Sequence, residues 1–260
     1  MNHKPLPIFL VMFLAVSCTT TRNLTYLGNL PETPEVQYFP YELQDYRVQY
    51  RDILYIDIKI LNPDGKLENL LQAGTVYSQT YIASEANQYL VGYNVDKEGN
   101  ILLPVIGKIQ VEGKTLPEIR MFVQRNVDSI YNYAYVDVKL LSFKYTVLGE
   151  ARNPGSFINY NDYLTVFEAI GRAGGAGDYG RRDRVLVIRT TPEGSKTFRV
   201  NLKDKSILST EAYYIMPNDV IIIEPEKHKI FNMNLPTFSF ILTSVTSAIT
   251  TTLLLINYFK

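Results

Sequence analysis

The sequence predicts an α+β fold: two related units, each a small sheet holding one helix, followed by a long uncharged helix. Three observations predict it. Thr115/Glu118 and Thr165/Glu168 carry the same capping-box spacing, fifty positions apart, each ahead of an apolar helical stripe. The string Tyr46…Asp52-Ile53…Ile56 recurs as Tyr213…Asp219-Val220…Ile223 at identical spacing. Residues 238–259 contain no charged side chain.

Composition sets outer bounds. A chain of 260 residues with 46% apolar content can bury one large or two small cores. Lys+Arg and Asp+Glu balance at 26 each, so no basic surface recommends nucleic acid as a partner. Cys18 is the single cysteine, so no disulfide can form within the chain.

Residues 1–17 read as a signal peptide. Lys4 supplies a positive start, and residues 8–16 form an apolar run too short to span a bilayer. Ala15-Val16-Ser17-Cys18 resembles a lipobox, which makes Cys18 the lipid-attachment residue. The alternative is an ordinary secretory signal with an incidental cysteine. Residues 18–45 are polar with scattered prolines and suit an extended tether. An arm packed on the body is the competing reading.

Residues 46–58 end in an apolar/polar alternation that suits a half-buried strand. Residues 62–88 carry a Pro-Asp-Gly turn and little periodicity, as an inserted loop would. Asp96-Lys97-Glu98-Gly99-Asn100 is hairpin chemistry between strand-like flanks. The first helix opens at Thr115 with Pro117 in its first turn, where a missing N–H costs nothing. Ile119, Phe122, Val123, Val127 and Ile130 form its apolar face. Residues 133–141 alternate again.

The second unit opens with a short strand over 145–148 and the turn Asn153-Pro154-Gly155. Gly155 stands where a type II turn needs positive φ. Val166, Ala169, Ile170 and Ala173 make the stripe of the second helix, which stops at Gly174.

These motifs resemble a known family. Gly149-Glu150…Pro154-Gly155 and Ala173-Gly174-Gly175 are similar to the SLBB domain, a β-grasp module named for soluble ligand binding. Pro104-Val105-Ile106-Gly107 ahead of a helix resembles the signature of outer-membrane polysaccharide export proteins. The chain departs from that pattern at Arg51 and Asn218, where the family prefers Gly before Asp. The resemblance implies two β-grasp-like units: an export domain over 46–142 and an SLBB domain over 143–226. A connector over 227–237 and a C-terminal transmembrane or amphipathic helix over 238–259 follow. It also implies an outer-membrane lipoprotein with a periplasmic body that assembles as a homo-oligomeric ring. That ring would let capsular or exopolysaccharide out. The implied partner is an inner-membrane polysaccharide co-polymerase, often with a tyrosine-kinase domain in this family.

The last helix carries the mechanism. At 100° per residue, Ile241, Leu242, Val245, Ile249, Leu253 and Ile256 fall on one arc. Ser239, Thr243, Ser247 and Thr250 fall on the other and are the candidate pore-facing residues. From the residues alone, two readings stand. One is a single-pass anchor whose hydroxyls bond to its own carbonyls or to a neighbour. The other is a ring of helices around an aqueous pore, which satisfies the backbone in lipid as a β-barrel does. The resemblance favours the ring. The runner-up function is a non-channel glycan- or ligand-binding lipoprotein anchored by this helix.

No constellation of side chains predicts chemistry. Gly113-Lys114-Thr115 lacks the glycine a phosphate loop needs at position 108, which is Lys108. Ala173-Gly174-Gly175-Ala176-Gly177 follows a helix, the reverse of a dinucleotide loop. Two histidines and one cysteine are too few for a metal cluster, and no cofactor is expected. Glu168 with Asp178 is the best acid/base pair, yet Glu168 already caps a helix, so no enzymatic activity is predicted. Tyr131, Tyr133, Tyr135, Tyr160 and Tyr163 are candidates for sugar stacking or for packing. Residues 181–184, Arg-Arg-Asp-Arg, read as a solvated loop.

Overall fold

The computed structural model describes residues 25–32, 34–40, 45–71, 89–104 and 106–259. The signal peptide, Cys18 and residues 72–88 of the inserted loop lie outside the described residues. The fold is α+β with a C-terminal apolar helix, as the sequence predicts.

The first sheet is built on β1 (Ile53–Leu61). Its alternation puts Leu54, Ile56 and Ile58 on the buried face. On one side β1 pairs antiparallel with β2 (Leu67–Asn69) and β3 (Tyr93–Asn94). On the other it pairs with β6 (Ala134–Leu140) over seven positions. The β1–β2 hairpin turns at Pro63-Asp64-Gly65, so part of the predicted inserted loop is strand. Asp96 organises the next turn, its Oδ1 accepting from the N–H groups of Glu98 and Asn100 at 3.0 and 2.7 Å. That turn leads into the hairpin of β4 (Asn100–Leu103) and β5 (Gly107–Gln110).

Helix α1 (Leu116–Asp128) covers this sheet, and its capping box is complete. The Thr115 N–H donates to Glu118 Oε2 at 2.8 Å, and the Glu118 N–H donates to Thr115 Oγ1 at 3.4 Å. Ile119, Val123 and Val127 are fully buried. Phe122 and Ile130, predicted on the same face, are exposed. The buried stripe is therefore narrower than the sequence suggests, because one sheet face is all that α1 packs on.

The second sheet has the order β10-β9-β11-β7-β8: β10 (Gly194–Val200), β9 (Gly180–Thr191), β11 (Val220–Pro225), β7 (Lys144–Gly149) and β8 (Gly155–Ile158). The first and last of these strands, β7 and β11, lie side by side and parallel; the other pairs are antiparallel. Helix α2 (Val166–Arg172) buries Val166, Ala169 and Ile170, as predicted, with its C-cap Ala173. Gly174 and Gly175 follow at φ 76° and 85°, and the Gly175 N–H caps the Ile170 carbonyl at 2.9 Å.

Two expectations need correction. Gly155 does not hold the positive φ; Gly149 does, at 81°. A Cβ there would stand 2.2 Å from the Ile223 carbonyl oxygen, so only glycine lets β7 run this close to β11. Residues 181–184 are not a loop but the start of β9, where Arg181 pairs with Asp183 at 2.6 Å.

The repeated string proves to be one repeated turn. In each copy the Asp N–H donates to the carbonyl three residues back, Gln49 or Met216, at 3.1 Å. The Asp carboxylate in return accepts from that residue's N–H, at 2.8 Å in the first copy and 2.9 Å in the second. Arg51 and Asn218 take φ 73° and 66°, the conformation that a glycine there would adopt freely. Asp52 is 2% exposed and Asp219 0%. The segment joining the two sheets is tied to both turns: Ser142 Oγ donates to Asp52 at 3.0 Å, and the Asn218 N–H donates to the Lys144 carbonyl at 2.7 Å.

Residues 25–30 lie on the second sheet's unit, as a packed arm would. The Leu27 N–H donates to the Leu202 carbonyl at 3.0 Å, and Tyr26 sits between Phe167 and the Arg182 guanidinium.

Candidate functional site

The feature that no packing argument absorbs is helix α3 (His228–Tyr258), 31 residues long. It begins directly after β11, so the stretch read as a connector forms its first turns. The Lys229 ammonium pairs with the Glu150 carboxylate beside β7, fixing the helix base to the second sheet. Pro236 lies within the helix and cannot donate to the carbonyl four residues back.

From Phe238 to Tyr258 the helix is not buried against any of the described residues, and it is long and apolar enough to cross a membrane. Twenty-one residues at 1.5 Å each give about 31 Å, the thickness of a bilayer core. Exposing Ile241, Leu242, Val245, Ile249 and Leu253 to water would cost roughly 1.5–3 kcal/mol per side chain relative to burial. Lipid or neighbouring helices remove that cost.

Ser239, Thr243, Ser247 and Thr250 follow one another at spacings of four, four and three, so they share one stripe of α3, and all four are exposed. Thr243 Oγ1 donates to the Ser239 carbonyl at 2.7 Å, and Thr250 Oγ1 donates to the Thr246 carbonyl at 2.6 Å. Thr243 and Ser247 also line a shallow groove with Ser244, Ala248 and Thr251; Ser239 and Thr250 lie outside it. Ser244, Thr246, Thr251 and Thr252 make the same backward bonds, at 2.8–3.0 Å. Each such hydroxyl keeps acceptor capacity toward whatever faces it while its donor is satisfied within the helix.

The side chains considered for chemistry are otherwise engaged. Glu168 Oε2 accepts from the Thr165 N–H and hydroxyl, both at 2.8 Å. Those bonds, the backbone one first, hold its carboxyl below the usual range, as an anion and not an acid. Asp178 lies out in solvent, 3.8 Å from Arg152. Among the described residues no group of three His, Cys, Asp or Glu side chains could hold a metal. Tyr133, Tyr135, Tyr160 and Tyr163 are exposed, whereas Tyr131 packs against the first core.

One buried pair escaped the sequence reading. The Arg189 guanidinium donates to both oxygens of Asp219, at 3.1 and 2.9 Å, and both side chains are buried. Burial pushes the Asp219 carboxyl up and Arg189 opposes it. Burial likewise raises Asp52, against its bonds from Gln49, Tyr46 and Ser142. The repeat pointed to both aspartates, but nothing in the sequence marks Arg189 as the partner.

Comparison with known proteins supplies the relation. Residues 40–141 match the family described as polysaccharide biosynthesis/export protein. The EPS I polysaccharide export outer membrane protein EpsA of Ralstonia solanacearum is 27% identical over 165 residues, 61% of this chain and 42% of that protein. The protein of the same name from Ralstonia nicotianae is 34% identical over 87 residues, 32% of this chain and 23% of that protein. The chain thus aligns with less than half the length of each relative. Over residues 40–141 the chain is similar to the polysaccharide biosynthesis/export protein family, as the motifs in its sequence led us to expect.

Proposed function

We propose that this protein is an outer-membrane lipoprotein, anchored at Cys18, whose copies assemble into a ring and let capsular or exopolysaccharide cross the outer membrane. The observation that carries the proposal is the stretch Phe238–Tyr258 of α3, uncharged, membrane-length and exposed, on a chain that matches the export family over residues 40–141. In the ring, Ile241, Leu242 and Val245 face lipid, and Ser239, Thr243, Ser247 and Thr250 face the aqueous pore. The names of the Ralstonia relatives support both the outer membrane and polysaccharide export. No bond is made or broken, and no cofactor is needed. The energy comes from synthesis and from an inner-membrane co-polymerase partner, of a kind that often carries a tyrosine-kinase domain.

The two sheets with their single helices act in this reading as β-grasp-like units, an export domain and an SLBB domain. The parallel β7–β11 pair, first and last strands side by side with α2 against them, supports the second assignment.

A second reading has one observation in its favour. The α3 hydroxyls donate to their own helix, as those of a single-pass anchor do, which suits a glycan-binding lipoprotein without a channel. Full-length protein in detergent separates the two. Ring-shaped particles by electron microscopy are the expected result; a monomer that binds sugar would replace the channel with the anchored binder.

A further inference from the structure

The first unit carries a groove of its own, with no α3 residue in its lining. It is a shallow groove between α1 and β6 of about 450 Å³, open to solvent and lined by Arg120, Met121, Gln124, Arg125, Tyr135 and Val136. Among the described residues β6 pairs with β1 alone, which leaves its far edge without a strand partner there. Gln124 closes that edge at the groove: its Nε2 donates to the Ala134 carbonyl at 2.8 Å, and its Oε1 accepts from the Val136 N–H at 3.0 Å. An extended peptide therefore finds neither of these backbone groups available for strand addition.

Arg120 and Arg125 are both exposed, and among the described residues neither has a hydrogen-bond or ion-pair partner. Asp128, on the same helix, is held by Gln124 at 2.8 Å and not by either arginine. Residues 120 and 125 are separated by a rise of about 7.5 Å along the helix axis and about 140° around it, and both line the groove. Each is a planar fork of donors whose geometry matches a carboxylate. Tyr135, 56% exposed, and Met121, 48% exposed, add apolar surface for the C–H face of a sugar ring. Two free cations beside an aromatic ring, over a strand edge already capped, favour an anionic ring-shaped ligand over a peptide or a neutral sugar.

We propose that the α1/β6 groove binds a glycan bearing carboxylates, with Arg120 and Arg125 on the acid groups and Tyr135 against a ring. The proposal rests on the reading of this chain as a polysaccharide-handling protein, and it names the class of polymer as acidic.

The test uses the full chain in detergent and an oligogalacturonate, with an uncharged malto-oligosaccharide of equal length beside it. Titration calorimetry at low salt should show binding of the first and not of the second. Arg120→Gln with Arg125→Gln should weaken binding about tenfold or more, while Arg152→Gln on the second unit leaves it unchanged. All three sites are exposed, so circular dichroism should show the fold intact. Equal binding of both oligosaccharides, or undiminished binding by the double variant, overturns the proposal. So does a double variant that keeps its affinity but changes its subunit count by light scattering, which assigns the groove to a contact between copies. Export is read separately, from surface polymer in a strain lacking the gene. Normal surface polymer there removes the exporter reading and leaves the binding result standing.

Discussion

Asp219 and Arg189 form a buried, hydrogen-bonded ion pair. Removing one partner leaves an uncompensated charge in a buried site, so Arg189→Met should destabilise by about 3–5 kcal/mol in urea unfolding. The double change with Asp219→Asn should recover part of that loss. Arg51 and Asn218 hold φ near 70° without being glycine. Arg51→Gly should therefore stabilise by up to ~1 kcal/mol, read as a higher urea midpoint at unchanged slope. Glu168 and Asp52 should act oppositely with pH. The Glu168 carboxyl is held below its ordinary 4.5, so its stabilisation is present above that value and lost as pH falls through the folded pKa. The Asp52 carboxyl is raised by burial, so the cost of charging it disappears as pH falls through its folded pKa toward the ordinary 3.8. Glu168→Gln should make the acid limb of the stability profile shallower, and Asp52→Asn should remove the gain on mild acidification. Thermal unfolding across pH reads both.

At the scale of elements, β7 and β11 tie the second sheet together through Gly149. Gly149→Ala adds a Cβ at 2.2 Å from the Ile223 oxygen and a strained φ, and should cost about 2 kcal/mol or more. A matching Gly155→Ala change, where nothing lies within 4 Å, should cost much less. Both helix starts were legible because a capping box is local: Thr and Glu three residues apart need no tertiary information. The stripe of α2 was legible for the same reason. Phe122 and Ile130 were not, since the periodicity that marks an apolar face cannot show how wide a sheet meets it. β2 and the start of β9 were missed because charged or turn-rich residues hid strands that pairing with β1 and β11 imposes. For α3, we expect Thr243, Ser247 and Thr250 changed together to leucine to abolish export without lowering protein level.

For the whole molecule, the parts serve one direction of attachment. The arm over residues 25–30 and the base of α3 both join the second unit, through Leu202, Phe167 and Arg182 for the arm and Glu150 for the helix. The first unit, which carries the export-family match, hangs from it through the segment clamped between the two buried aspartates. The sequence showed the repeat, the order of elements and the uncharged helix. Arg189 and the Arg120/Arg125 groove stayed hidden because each depends on segments far apart in the chain. The most direct test is surface polysaccharide in a strain lacking this gene, complemented with either the wild-type chain or the triple-leucine variant at matched protein level. The account predicts loss of surface polymer in the deletion strain, return with the wild type and no return with the variant. Normal surface polymer without the gene, or full export through the variant, would contradict it.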